Sequence, residues 1–427
     1  MNLTFTFAAA ASLALLASSA LASDAVICSS RVDRSNVVTC ALAASLSVRA
    51  EGYEVEAAAG RRLAVSPLLP SNPVLSLAAA TRSTTGQDNV TNWNATLSQE
   101  LEVAGQRGVR RRAAEADIEA RKKRALVIRR EVAASAWFAF FDAVAAREEQ
   151  RLVAGLSAAT ERVSLVAHAR ADQGLIAPLD ADVADAIAIR VSQAKLASER
   201  RLAGAGATLA SLLGRDPADG QLTVEGELVP LEGVKEVAAA LVPKEGKDRP
   251  EVLALDAERR AFELRADAYR RTRIPNPTVS VFAQNDGFNE RVLGVGVSFP
   301  IPLPGNIGRT YIGEIAESEA IARRVATDRE RIARDIRLEI VTAAKAYDSR
   351  ETEVRAFTPA RVTRADESLR ALAQELEAGR VSVRDAVVVQ QALIELLQAN
   401  VAARRAWCFA SVDLARAVGF PLERGTP

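Results

Sequence analysis

The apolar positions of this chain follow two periods. Over most of its length they recur at three-, four- and seven-residue steps. Ile312, Ile315, Ala322, Val325, Ile332, Ile336, Ala343 and Tyr347 are one such series, the stripe of a helix that buries one side. Two islands break the pattern. Trp93, Ala95, Leu97 and Leu101 alternate with Asn94, Thr96, Ser98 and Glu100. Leu293, Val295, Val297, Phe299, Ile301 and Leu303 alternate with Gly294, Gly296 and Ser298. Period two means strands with one apolar face and one small or polar face. Partner strands at 74–82 and 278–284 lie across short polar turns at 84–89 and 285–290, the second carrying the turn pair Asp286-Gly287. Each island therefore predicts a hairpin. Pro300, Pro302 and Pro304 are expected to end the last strand and turn the chain into a helix.

The islands belong to a repeat. "LPSNPVLSL" at 69–77 is echoed by "RIPNPTVSV" at 273–281, and "LSQELEVAGQRG" at 97–108 by "VSFPIPLPGNIG" at 297–308. "QGLIAPLDA" at 173–181 is echoed by "AGRVSVRDA" at 378–386, and "LLGRDP" at 212–217 by "AVGFP" at 417–421. All four pairs share an offset of roughly 200–205 positions, which marks one duplication. The predicted organisation is a leader at 1–22, a first repeat at 23–214, an inter-repeat segment at 215–248, a second repeat at 249–421 and a tail at 422–427. The first repeat is read as an N-terminal helix (about 34–64), a hairpin near 72–103, a long helix near 108–171 and a shorter one near 178–213. The second is read as a helix (about 249–272), a hairpin near 276–304, a long helix near 308–377 and a shorter one near 382–418.

Local signals support those ends. Gly174 and Gly379 can supply the left-handed residue that closes a helix, Pro178 suits a first turn, and Ser382 with Asp385 makes a capping-box-like pair. Gly214 and Gly419 end the shorter helices, with Pro217 and Pro421 beyond. A helix over 108–171 would be ~95 Å long, and two shorter helices stacked end to end would match it. The inter-repeat segment would then bulge at the middle as a waist.

Composition narrows the class. The 427 residues carry 55 basic and 54 acidic side chains, a net charge of +1, which speaks against nucleic acid as a partner. The start, MNLTFTFAAAASLALLASSALAS, has an apolar stretch followed by Ala20-Leu21-Ala22, a small-residue cleavage pattern. It is read as a secretory leader, the alternative being a membrane anchor. No later run approaches the ~18 apolar residues of a spanning helix. In an exported protein Cys28 and Cys40 can form a small disulfide loop, while Cys408 is expected as buried filler. The single histidine, His168, and the lack of Cys-x-x-Cys, Gly-x-Ser-x-Gly or P-loop patterns leave nothing to carry enzyme chemistry, a cofactor or a tightly held metal.

The strand runs approach the 9–11 residues of a tilted membrane strand. Four strands cannot close a barrel in lipid, where open edges are not tolerated and barrels start near eight strands. Two copies would give eight and three would give twelve. The alternative from alternation alone is a pair of soluble hairpins capping a coiled coil.

In its duplicated plan, and in "PNPTVSV", "SFPIPLPGNIG" followed by "YIGEIAESEA", and "GRVSVRDAVVVQQALIEL", the chain resembles the TolC-like outer-membrane efflux proteins, most of all their heavy-metal (cobalt–zinc–cadmium) branch. The resemblance covers about 24–421. It implies a mainly α fold with a small β part: a duplicated long-helix α-barrel, and two hairpins (four strands) contributing to a shared trimeric transmembrane β-barrel. It implies a homotrimer in outer-membrane lipid that extends into the periplasm. The trimer would be the passive exit duct of a tripartite system, joined to an inner-membrane resistance–nodulation–division pump through a periplasmic adaptor. Heavy-metal cations are the implied cargo, organic solutes the alternative. A soluble periplasmic adaptor or scaffold is the reading from another class.

In that architecture the two helix turns form the periplasmic tip. Candidate gate and docking residues are Arg170, Asp172, Gly174, Asp180, Asp182 and Asp185 in the first repeat, and Glu375, Gly379, Arg380, Arg384 and Asp385 in the second. Rings of such charges could close a pore and bias it toward cations; the plain alternative is ordinary solvation of helix ends. Ala177-Pro178 stands where the family more often has a Val-Ser-like turn. Gly105, Gly108, Pro300, Pro302, Pro304, Gly305 and Gly308 mark the strand-to-helix joint. Trp93, Phe282, Phe288, Phe299 and Tyr311 are candidates for interfacial aromatic girdles. Trp137, Phe138, Phe140 and Phe141 are expected as helix packing.

Overall fold

A computed structural model describes residues 31–83, 85–86, 89–216, 222–241, 249–285 and 290–423. The expected leader at 1–22, Cys28, Pro217, the Asp286-Gly287 turn, Phe288 and the last residues of the tail lie outside the described residues. In chain order the elements are β1 (Arg31–Val32), α1 (Val37–Ala44), α2 (Leu46–Ala64), β2 (Val74–Arg82), β3 (Val90–Glu100), α3 (Gln106–Asp172) and α4 (Pro178–Leu212). Then come β4 (Thr223–Val224), α5 (Val234–Leu241), α6 (Pro250–Thr272), β5 (Thr278–Asn285), β6 (Arg291–Ser298), α7 (Ile312–Ala356), α8 (Pro359–Glu377) and α9 (Val383–Val418).

The spine is α3, whose 67 residues span roughly 100 Å. No single apolar face of its own could hold a helix of that length in water, so it is covered by several partners. α6 lies against its first half and α4 against its second, while α2, α8 and α9 cover further stretches. The middle of the molecule holds the main core. There α1, α3, α4, α7 and α9 meet β4 and α5 around Trp137, Phe140, Phe141, Leu209 and Leu414, all buried. Trp137 stacks on Phe141 and donates its indole N–H to the Leu422 carbonyl at 3.3 Å. This aromatic cluster packs helices together. β1 pairs in parallel with β4, which pins the inter-repeat segment to the waist.

Three expected elements differ from what is found. The N-terminal helix at 34–64 is two helices, because Ser45 turns extended (ψ 119°) and its side chain caps α2 by accepting from the Val48 N–H. The long helix at 308–377 starts at Ile312 and breaks at Phe357–Thr358. Pro359 has no N–H to donate and forces the residue before it out of helical space, so Thr358 sits at ψ 142° and Pro359 opens α8. Finally, β6 ends at Ser298, and Phe299, Ile301 and Leu303 lie beyond its last pair with β5. α9 also corrects the expectation that no later helix is apolar enough to span: it holds a window of mean hydropathy 1.3. In this fold it packs against α3, α7 and α8.

Candidate functional site

The two hairpins form one four-stranded antiparallel sheet in the order β2-β3-β5-β6, so β3 of the first repeat pairs with β5 of the second. The register fixes what each face carries. One face aligns Leu77, Ala95, Ala283 and Leu293 in a row, and Leu75, Leu97, Val281 and Val295 in the next. Trp93, Val279 and Val297 extend it. The large side chains of this face are exposed rather than packed, Leu293 at 81% and Val295 at 79%, while Ala95 and Ala283 are half-buried. The other face aligns Ser76, Thr96, Phe282 and Gly294, then Val74, Ser98, Ser280 and Gly296, with Asn94 beside Gln284. Asn94 donates to Gln284 at 3.4 Å and Thr96 donates to Asn94 at 2.8 Å. Apart from Arg82 and Glu100 at the strand ends, this polar face carries no charge among the described residues. β2 and β6 leave both sheet edges open.

The register corrects one girdle expectation. Phe282 lies on the polar face, with its ring across Gly294: a Cβ at 294 would stand 2.3 Å from the Phe282 Cζ. Trp93 and Phe299 are exposed on the apolar side, and Tyr311 stacks on Tyr269 of α6.

The joint between sheet and helices is specified by backbone. Gly105 caps α3 at φ +68°, a conformation that L side chains rarely adopt. A Cβ at Gly308 would lie 2.6 Å from the Leu303 Cβ, so the turn after Pro304 closes only over glycine. Gly305 faces Thr310 in the same turn, whereas Gly108 sits inside the first turn of α3 with open space around it, and nothing there demands glycine. Buried Gln106 donates to Asn276 at 2.9 Å, and Asn276 donates to Glu100 at 2.7 Å, which ties the two repeats together beneath the sheet.

At the opposite end both helix turns close alike. Gly174 and Gly379 each take φ +70°. Leu175 N–H returns to the Arg170 carbonyl at 2.9 Å and Arg380 N–H to that of Glu375 at 3.0 Å, the six-to-one bond of a glycine-terminated helix. Leu376 is buried with Val163, Ala167, Ala181 and Ala184, so the two turns share a small core. The Arg170 guanidinium reaches from the first turn to donate to the Leu376 carbonyl and lies above Gly379. Asp185 accepts from Ser164 at 3.3 Å, Glu375 pairs with Arg380 at 3.0 Å, and Ser382 caps α9 with Asp385. Asp172, Asp182 and Arg384 are exposed and make no ion pair among the described residues, and Asp180 sits in the first turn of α4. The tip thus holds Arg170, committed to the other repeat, beside exposed carboxylates and the exposed guanidiniums of Arg380 and Arg384.

Sequence reasoning missed a charged cluster at the waist. Arg249, nearly buried, donates to Glu251 and Glu339, each at 2.8 Å, and to the Ala417 carbonyl at 3.0 Å. Arg130 approaches Glu251 at 3.5 Å, and Arg416 approaches Glu339 at 3.2 Å. Burial alone would raise the Glu251 carboxyl, but the hydrogen bonds and charge of Arg249 outweigh it and hold it below the ordinary range. The only hint in sequence was Arg-Pro-Glu opening a helix. Cys40 is disulfide-bonded, and Cys408 is free, with its thiol pushed up to about 12 by burial.

No family model matches this chain. It is 26% identical over 328 residues to the cobalt-zinc-cadmium resistance protein CzcC of Cupriavidus metallidurans, covering 74% of this chain and 72% of that one. Among solved structures, a membrane protein from Pseudomonas aeruginosa matches 90% of this chain and 92% of its own at TM-score 0.75 and 18% identity. The outer-membrane channel OprN matches 91% and 90% at TM-score 0.72 and 15% identity. The chain therefore has the fold of these channels, a helical barrel element carrying a small sheet, in keeping with the resemblance read from its motifs.

Proposed function

We propose that this protein is the outer-membrane exit duct of a tripartite efflux system, assembled as a homotrimer and passively conducting heavy-metal cations from an inner-membrane pump to the outside. The observation that carries the reading is the sheet. It exposes a continuous apolar face, keeps a neutral polar face opposite, and leaves two edges unpaired. Water penalises the first and lipid penalises the last, so the sheet is satisfied only when sister sheets close it within a bilayer. Three copies supply twelve strands, within the range of natural barrels. The polar face then lines the bore, and the helices continue it across the periplasm.

The chain's own residues act by position, with no bond made or broken. Neutral hydroxyls and amides line the barrel. Discrimination by charge falls to the far end, where Asp172, Asp180 and Asp182 from three copies would ring the entrance and favour cations. Opening would splay the tip helices and exchange the Arg170 contact for water or for an adaptor. Metal as cargo rests on the likeness to a protein named for cobalt, zinc and cadmium resistance; the pump and adaptor follow from the same kind of system.

Two measurements test this. Mature protein should stay in the membrane fraction after a high-salt wash and, in detergent, have three times the chain mass and form conducting pores in planar bilayers. A salt-released monomer would sink the duct. Cells lacking the gene should lose tolerance to cobalt, zinc or cadmium. If they instead lose tolerance only to organic toxicants, the duct stands and the cargo changes.

A further inference from the structure

The run Phe299-Pro300-Ile301-Pro302-Leu303 follows β6 and forms no strand pair among the described residues, while the Pro304 carbonyl closes the next turn by accepting from Ile307 and Gly308. Its prolines are in phase. Leu101 N–H donates to the Pro277 carbonyl at 2.9 Å, so residue 277 turns its backbone polar groups toward β3. Successive residues of a strand alternate sides, so Thr278 turns its groups toward β6. Its partner Ser298 then faces β5. If the chain continues extended, positions 300 and 302 also face the β5 side, and positions 299, 301 and 303 face the open edge. Every missing N–H is therefore on the inner side, and every N–H on the open edge is intact. Extension is enforced locally, because proline fixes its own φ and pushes the preceding residue to extended backbone. The side chains keep the apolar parity of Val295 and Val297, with Phe299 64% and Ile301 81% exposed.

We propose that Phe299–Leu303 is an intermolecular extension of β6, a strand segment that pairs only with a second copy of this chain, on the side of that copy's open β2 edge. The extension rests on the shared-barrel reading above. β6 has 8 residues, as has β5, and a tilted strand needs about 9–11 to cross a bilayer, so the extension would bring β6 to that length on assembly. The prolines carry no inward N–H, so the same segment cannot pair inward along 273–277, the run ahead of its own β5, and its open edge is left for a neighbour.

Hydrogen exchange on the full-length assembly in lipid or detergent tests it. The amides of Phe299, Ile301 and Leu303 should exchange on the order of a hundredfold or more slower than unstructured amides. Ile301→Pro, which deletes one open-edge donor, should lower the temperature at which oligomers dissociate, while Ile301→Val and Pro302→Ala should leave it within error of wild type. Fast exchange at all three amides in an intact oligomer overturns the extension and spares the barrel, as does an Ile301→Pro protein that dissociates like wild type. A chain that never oligomerises overturns both.

Discussion

Phe282 shows how much one side chain's meaning depends on what lies across from it. Along the sequence it is an aromatic in a membrane-like strand, and a place in an interfacial girdle is the natural expectation. In the sheet it falls on the polar face and lies across Gly294, which has no side chain to obstruct it. Gly294 in turn loses the packing that a strand residue normally gains, and the ring restores some of it. Gly294→Ala should lower the thermal stability of the detergent-solubilised protein by about 1 kcal/mol or more, because the ring must move off its rotamer or into the bore. Adding Phe282→Ala should remove most of that added cost. Strictly additive losses in the four-protein cycle would show that the two residues do not interact.

At the scale of elements, helix ends explain a difference between the repeats. Ser382 caps α9 through its hydroxyl, whereas the equivalent Ala177 before α4 has the same extended backbone, ψ 141° against 153°, and no capping side chain. Ala177→Ser should therefore add about 0.5–1 kcal/mol at the tip, read as slower amide exchange over the first turn of α4. No change there would mean Pro178 already fixes that end. The termini themselves were legible: glycines 174, 379 and 419 do take left-handed backbone, because closing a helix this way is a local requirement. The break between α7 and α8 is equally local. Pro359 was visible, but the strong apolar stripe over 312–347 drew the helix through it.

The waist belongs to the molecule as a whole. Arg249 reaches α7 and the end of α9 from the start of α6, and its partners lie far apart in sequence. A partly buried pair of this kind contributes little net stability when intact and costs more when one partner is lost. The sign of its pH dependence follows from Glu251. A carboxyl held below its unfolded value stabilises the fold above that value, near 4.5, and loses the contribution as pH falls through its folded value. Stability should decline on acidification below about 4.5, and Glu251→Gln should flatten that limb while lowering stability at pH 7. An unchanged acid limb in thermal melts of the variant would exclude Glu251 as its source.

The sequence alone determined the periods, the duplication, the turn glycines and the short supply of strands, since each follows from local backbone chemistry or from counting. Tertiary structure decided which face Phe282 takes, that the two hairpins join through β3 and β5, that Arg170 reaches the second repeat, and that Arg249 is buried among carboxylates. These depend on residues distant along the chain coming together. Periodicity can say that a face exists, but only the register says what that face meets.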